Sequence, residues 1–284
     1  MPEGDTIFRA ARTLHRALAG KQVTVFESAL PALNRIHEDA PVTGRTIERV
    51  DTAGKHLLMH FSGDLILRTH MRMNGSWHIY RRGEKWQRSR RDMRIVIATA
   101  DFEAVGFSIP VAEFTSARTL GKHRELRKLG PDVLSEDFDA GIALNRLRER
   151  GTTAIADALL NQRVLAGLGN VYKSEVLFMC RINPFALVRD LDDATLAAIV
   201  ETGRRTLRAN VSEGLALMTT YTGFRRTTGR SDPKERLWVY GRARLPCRRC
   251  GAAIRVRKQG SDARLTYWCP DCQEGLTNPR IPNH

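Results

Sequence analysis

The chain has 284 residues, enough for two modest domains or one large one. It carries 46 Lys+Arg against 31 Asp+Glu, a formal net charge of +15, with 42% hydrophobic residues. That composition excludes a disordered basic tail and implies a folded protein with a basic surface, suited to polyanions and above all to nucleic acid. The first residues include Glu3 and Asp5 and lack an apolar h-region, so no signal peptide is expected. No apolar run approaches a membrane span. Four of the five cysteines stand in CxxC pairs, which argues for a metal in a reducing compartment rather than for disulfides, and the cytoplasm is the expected location.

The chain opens Met1-Pro2-Glu3-Gly4-Asp5-Thr6. Removal of Met1, expected before a small second residue, leaves a secondary amine followed at once by a carboxylate. A free α-amino group has a reference pKa of about 7.7–8.0, so part of it is neutral and nucleophilic near pH 7. Attack on a carbonyl-like carbon gives an iminium with no N–H to lose, a persistent electron sink that favours elimination from the attached carbon chain. Many chains begin Met-Pro, so the remainder must be built to bring something to that nitrogen.

Thr6 to Gly20 reads as a helix, with Ile7, Ala10, Ala11, Leu14, Ala17 and Leu18 on one face and Gly20 as the stop. From about Lys21 to Ser108 the pattern is strand-like. Leu57–Phe61 and Leu65–His70 flank a Ser62-Gly63-Asp64 turn, and further strands are expected at Trp77–Tyr80, Arg94–Thr99 and Phe102–Phe107. Short strands separated by turns suggest an antiparallel sandwich or barrel-like sheet. Gly54-Lys55-His56 places a lysine just before a strand. His70-Met71-Arg72-Met73-Asn74-Gly75 puts two methionines in a polar turn, where an exposed tip could wedge into a base stack.

A basic stretch, Arg118 to Lys128, leads to Leu129-Gly130-Pro131-Asp132, the expected domain boundary. Helices follow at Ala140–Glu149, Ile155–Leu160, Val171–Cys180 and Thr195–Ala209. Between two of them, Asn161 to Asn170 holds two glycines next to a helix start. Backbone N–H groups there suit a phosphate, and Asn170 could cap the helix or donate from its amide. Val211 to Asp232, with hydroxyls, aromatics and charge from Thr219 to Arg226, reads as a loop. Cys180 reads as a small buried apolar residue.

Cys247-Arg248-Arg249-Cys250 and Cys269-Pro270-Asp271-Cys272 are separated by eighteen residues. This is the spacing of a structural zinc ribbon with four thiolates, and one Zn2+ is expected. Between the pairs, Ile254–Lys258 and Leu265–Trp268 alternate like a hairpin, made basic by Arg255, Arg257, Lys258 and Arg264.

Taken together and in this order, the motifs resemble the formamidopyrimidine-DNA glycosylase / endonuclease VIII family, most of all its endonuclease VIII branch. The match runs from Met-Pro-Glu-Gly through Gly54-Lys55-His56, His70–Gly75, Leu129–Asp132, Asn161–Tyr172 and Val239-Tyr240-Gly241-Arg242 to the finger. The resemblance implies an α+β multidomain protein. An N-terminal antiparallel β-sandwich flanked by helices (1–123) would be followed by a helix–two-turn–helix domain (124–230), a β-hairpin zinc finger with four cysteine ligands (231–273) and a tail (274–284). It implies that Pro2 is the nucleophile at C1′ of a damaged nucleotide, that Glu3 is its acid/base partner and that Lys55 completes the set. It makes His70, Asn170 and Arg264 phosphate contacts and Met73 the residue inserted where a base has flipped out. Base release followed by β- and δ-elimination is the implied reaction, with oxidised pyrimidines favoured over 8-oxoguanine. Where the family often has a second glutamate, this chain has Thr6, and the remaining wedge residues fall somewhere between Phe107 and Leu120. The implied partner is damaged DNA, with no membrane and no small-molecule cofactor, for a monomer in the cytoplasm near the nucleoid. Rival readings are an 8-oxoguanine/formamidopyrimidine glycosylase, a non-catalytic damaged-DNA-binding zinc protein and an RNA-binding zinc ribbon.

Overall fold

The computed structural model describes residues 2–212, 225–230 and 232–274. They fall into two compact units, one spanning 2–128, the other 129–210 together with the described residues from 225 onward.

The first unit opens with α1 (Gly4–Leu18), two residues earlier than the apolar spacing predicts. One face buries Ile7, Ala10, Ala11, Leu14 and Leu18 completely or nearly so. Strands β1 (Val25–Ser28), β2 (Ile47–Ala53), β3 (His56–Phe61), β4 (Leu65–His70), β5 (Ser76–Arg81), β6 (Met93–Ala98), β7 (Phe102–Phe107) and β8 (Val111–Thr115) make two four-stranded sheets. Their orders are β1-β6-β7-β5 and β2-β3-β4-β8, antiparallel throughout. The expected sandwich is present. The strand-like region is interrupted by a helix, α2 (Pro31–Asp39), which starts with the proline in its first turn, where a missing N–H costs nothing. Residues of both sheets and of α1 share one core, among them Leu57, Met59, Phe61, Trp77, Ile95 and Ile97. β3 is buried along its whole length, so alternate residues serve different faces. Leu57, Met59 and Phe61 enter the core, while His56, Leu58 and His60 lie opposite. Trp77 Nε1 donates to Thr69 Oγ1 at 3.1 Å, tying β5 of one sheet to β4 of the other. Two single-turn helices, α3 (Ala117–Leu120) and α4 (Arg124–Arg127), close the unit.

The second unit holds α5 (Ala140–Arg148), α6 (Ile155–Leu160), α7 (Asn170–Met179) and α8 (Asp193–Ser212), then the hairpin β9 (Arg255–Gln259) and β10 (Arg264–Trp268). α6 and α7 are joined by two turns across residues 161–169, the helix–two-turn–helix arrangement. α8 runs three residues past the expected end. Thr219 to Phe224 and the tail after Glu274 lie outside the described residues, as does Met1. α7 is buried on all sides from Asn170 to Phe178 because the helical core and the hairpin module both pack on it. Cys180 follows α7 as its C-cap; burial pushes its thiol up and its Sγ lies 3.8 Å from the Ala198 carbonyl oxygen.

That burial encloses Glu175, whose side chain is wholly inaccessible. Its Oε1 accepts from Val239 N and Tyr240 N at 2.8 Å, and its Oε2 accepts from Trp238 N at 2.8 Å and from the Thr227 hydroxyl. Burial pushes this carboxyl up and the four donors pull it back. One side chain of α7 thereby fixes the path of residues 238–240 into the cysteine module. Glu175→Gln presents an NH2 to two of those donors and should destabilise the second unit by about 3 kcal/mol, read as a lower urea midpoint; an unchanged midpoint would show that the carboxylate is not what holds the segment.

Candidate active site and metal centre

Pro2 is buried against the domain body. The next residue, Glu3, occupies the N-cap position of α1 in an extended conformation (φ −122°, ψ −177°), and its carbonyl accepts from Ile7 N at 3.1 Å. The Glu3 side chain is fully buried and does not cap the helix. Asp5 supplies the carboxylate of the first turn and pairs with Arg9 at 3.5 Å. Pro2 and Glu3 therefore stand at the N-terminus of a fifteen-residue helix, where the backbone N–H groups create a positive potential that disfavours a second positive charge and favours a neutral amine.

Pro2 lines a pocket of about 620 Å3 together with the Met73–Ser76 segment, His78, Arg88 and Ser108. The turn that carries Met73 is closed by Gly75 N donating to Met71 O at 2.9 Å. A Cβ at Gly75 would lie 2.5 Å from that same oxygen, so only glycine allows the closure. The two methionines of the motif have opposite fates. Met71 is 2% exposed in the core, whereas Met73 is 55% exposed at the tip.

Lys55 sits in the two-residue turn between β2 and β3, after Gly54 at φ +58°, and is half-buried. Leu57 pairs with Thr69, so His56 and His70 stand across from one another, their rings 4.7 Å apart and edge to face. Burial, with His70 and Arg68 nearby, lowers His56 to about 3. Burial, with Arg72 and Lys55 nearby, lowers His70 to about 4. Both imidazoles are neutral at pH 7. Arg72, in the left-handed region at φ +50°, donates its N–H to His70 Nδ1 at 3.0 Å. The His70 proton therefore resides on Nε2, which becomes a donor. Arg68 Nη1 does the same to His56 Nδ1 at 2.9 Å, while its Nε pairs with Glu113 at 2.7 Å. The His70 Nε2–H, with Arg72 and Lys55 nearby, supplies components of a phosphate site.

In the second unit, Gly169 rather than Asn170 occupies the N-cap of α7, and Asn170 is the first helical residue. Its Nδ2 donates to Leu265 O at 2.8 Å. Capping is excluded because an Asn at that position has already adopted helical backbone, and the β10 carbonyl takes its amide instead. Leu265 adjoins Arg264, which is half-buried at the start of β10, 3.9 Å from Asp262. Lys173, one turn along α7, is fully buried and donates to Thr266 Oγ1 at 2.8 Å. A fully buried lysine on an apolar helix is not expected from composition, and no sequence signal marks it. Sequence reasoning also missed Ser76, His78 and Tyr80, although their alternation with Trp77 and Ile79 along β5 marks one polar face. Pro2 and Met73 thus share a pocket wall, Lys55 in its turn lies near His70, and Asn170 and Arg264 lie on neighbouring elements of the other unit.

The four sulfurs of Cys247, Cys250, Cys269 and Cys272 lie within 4.8 Å of one another, with Cys250–Cys269 at 3.4 Å and Cys247–Cys272 at 3.9 Å. Tetrahedral zinc with bonds of about 2.3 Å places its sulfurs roughly 3.8 Å apart, so the set fits that ion. Arg249 N and Cys272 N point at Cys247 Sγ (3.4 Å) and Cys269 Sγ (3.5 Å), which stabilises thiolate charge. Phe178 of α7, Val239 and Ile254 pack against Cys247 and Cys269, so the metal would brace the hairpin against the helix.

The chain matches the model of the formamidopyrimidine-DNA glycosylase N-terminal domain over residues 1–123 and that of the formamidopyrimidine-DNA glycosylase H2TH domain over 129–222. Residues 244–275 match the zinc finger found in FPG and IleRS. The chain is 41% identical over 278 residues to the probable endonuclease 8 2 of Streptomyces coelicolor, covering 97% of this chain and 95% of that one. It is 36% identical over 273 residues to the DNA-(apurinic or apyrimidinic site) lyase Nei2 of Mycolicibacterium smegmatis, covering 96% and 99%. Among solved structures it is similar to Lactococcus lactis Fpg in complex with abasic-site DNA, with TM-score 0.80, 26% identity and coverage of 96% and 100%.

Two outcomes follow from this geometry. Mercurial titration with a chromophoric zinc chelator should release one zinc per chain, and Cys180→Ser should leave that stoichiometry intact; no zinc, or a loss in the Cys180 variant, would refute the four-thiolate site. Burial, with Arg88 nearby, also lowers His78 to about 4. Because His56, His70 and His78 titrate below the value of about 6.5 for a free imidazole, the unfolded chain takes up protons first as pH falls. Stability should be full above about pH 6.5, decline toward pH 4 with a slope approaching three protons, fall more gently as His56 alone remains, and flatten below about pH 3. Urea midpoints measured across that range check the sign, and a midpoint that rises on acidification would contradict it.

Proposed function

The chain belongs to the formamidopyrimidine-DNA glycosylase / endonuclease VIII family, and from that premise we infer a bifunctional DNA glycosylase and AP lyase of base excision repair that works through Pro2. The observation that carries this reading is the placement of Pro2, a secondary amine once Met1 is removed, on the wall of the pocket with buried Glu3 beside it. A base in a stacked duplex does not expose C1′ to an amine, so the damaged nucleotide has to be extruded and its place filled. Met73, held out on a turn that glycine closes, is suited to fill it.

In the proposed sequence the Pro2 nitrogen bonds to C1′ as the glycosidic bond breaks; the bond's electron pair leaves with the base, which takes up the proton that the new ammonium nitrogen sheds. Glu3 then delivers a proton to the ring oxygen. The sugar opens, and the C1′–N bond becomes an iminium with the proline ring. That cation acidifies the adjacent C2′–H. Loss of this proton expels the 3′ phosphate, and a second elimination expels the 5′ phosphate, leaving a gap with phosphate ends. Lys55 and the Nε2–H of His70 are the proposed phosphate contacts of the first unit, and Asn170 and Arg264 those of the second. The Asn170 Nδ2 gives one hydrogen to the Leu265 carbonyl, and its second hydrogen is the proposed phosphate donor.

We take damaged DNA as the partner of a monomer, within the modules 1–123, 124–230 and 231–273. No described helix is long and apolar enough to cross a membrane. Oxidised pyrimidines are the proposed substrates, in keeping with similarity to proteins named endonuclease 8; the rival, an 8-oxoguanine type, is an outcome of the same assay.

Borohydride should trap a covalent adduct between the wild-type chain and an oligonucleotide carrying one abasic site, and peptide mass should place it at residue 2. Pro2→Gly, a primary amine of lower nucleophilicity, should lose about two orders of magnitude in glycosylase rate, and Glu3→Gln should lose base excision more than abasic-site cleavage. No adduct from protein whose mass shows Met1 removed would refute the imine mechanism. Faster nicking of 8-oxoguanine than of thymine glycol or dihydrouracil would reverse the substrate assignment.

A further inference from the structure

The pocket wall beside Pro2 carries a hydrogen-bond chain that the mechanism above does not use. Tyr80 OH lies 3.2 Å from His78 Nδ1, and Ser76 Oγ lies 3.0 Å from His78 Nε2. Arg88 Nη1 donates to Ser76 Oγ at 3.2 Å, and Gln87 N donates to Tyr80 OH at 3.1 Å. A neutral imidazole has one N–H, so the chain runs in one of two directions.

Burial selects between them. If His78 carried its proton on Nδ1, the Tyr80 oxygen would accept from both His78 and Gln87. Its own hydrogen would then have no described acceptor, in a residue only 2% exposed. A buried hydroxyl hydrogen without a partner is costly. In the other direction Tyr80 donates to Nδ1, and burial also pushes this phenol up, so it keeps its proton. The imidazole proton is then on Nε2 and goes to Ser76 Oγ. Ser76 now accepts from both His78 and Arg88, which fills its two acceptor positions, and its own O–H has no described acceptor in the wall. That hydrogen does have somewhere to go, because Ser76 lines the pocket shared with Pro2. Arg88 is held for this by its other amino group, which reaches Asp92 Oδ2 and Ser108 Oγ at 3.4 Å.

We infer that Ser76 is a specificity-determining residue, fixed by the Tyr80–His78 relay and Arg88 as an obligate donor to a carbonyl oxygen of the damaged base held at Pro2. The inference rests on the Pro2 reading, since an amine bonded to C1′ puts the base in the adjoining space. A donor-only group at that point selects bases with an oxygen acceptor there, and it gives nothing once the base has gone. An abasic site has no such oxygen, so the two reactions of the enzyme separate its contribution.

The test is the ratio of base excision to abasic-site cleavage for the full chain on matched oligonucleotides carrying dihydrouracil or an abasic site. Ser76→Ala should lower that ratio roughly tenfold, and Ser76→Thr, which keeps the hydroxyl, should restore it. A general structural defect lowers both rates and leaves the ratio intact. An unchanged ratio in Ser76→Ala, or a lowered ratio that Ser76→Thr does not restore, would overturn the assignment. Long-range 1H–15N correlation spectra of the wild-type chain at pH 7 should show His78 as the neutral Nε2–H tautomer. An Nδ1–H tautomer would reverse the relay and sink the proposal, whatever the activity. If the wild-type chain forms no adduct at an abasic site, the Pro2 reading fails first, and the tautomer still reports whether the relay runs as described.

Discussion

The proposed chemistry at Pro2 depends on immobilising a chain terminus, normally the least ordered part of a protein. The solution here is burial. α1 begins immediately after Glu3, and within five residues of Pro2 it commits Ile7 to a core shared by both sheets, followed by Ala10, Ala11, Leu14 and Leu18. Moving Pro2 would mean lifting that helix off the sandwich. The pocket side chains are anchored just as firmly from behind. Met71 in the core holds the turn of Met73, and Trp77, bonded to Thr69, holds the strand that carries Ser76 and His78.

The second unit solves a different problem by the same means. Its finger is too small to build a core alone, so it packs on one face of α7. The buried polar and charged groups of α7 divide the work. Glu175 receives the chain entering the cysteine module, while Lys173 and Asn170 hold the β10 backbone and side chain on the far side. The Nδ2 of Asn170 donates to the Leu265 carbonyl, whereas its Oδ1 is buried without a described donor.

Features that act locally were legible in the sequence. The cysteine spacing specified the metal set, and period-2 alternation around Ser62-Gly63-Asp64 specified the β3–β4 hairpin. The apolar face of α1 was equally clear. Features decided by distant contacts were not. α2 is short and mixed, and only Pro31 at its start hints at a helix within a strand-rich region. By sequence Asn170 could cap α7 or donate from its amide; Gly169 holds the cap position, and the amide donates to the carbonyl of a residue ninety-five positions away. Met71 and Met73 are chemically the same in sequence, and only the sandwich decides which one is core. The Tyr80–His78–Ser76–Arg88 chain needs β5 and the segment before β6 brought together, which no local pattern encodes.

Gly75 has a consequence for how this surface could change over time. The turn is closed by its N–H on Met71 and by the absence of a Cβ, with the Met71 side chain anchored in the core. The Gly75-to-Met71 closure itself does not use the side chain of Met73, which is 55% exposed at the apex. A lineage, or a library, can exchange that apex residue and keep the Gly75 closure, whereas a side chain at Gly75 collides with the Met71 carbonyl and opens the turn. Diversity and invariance sit two residues apart.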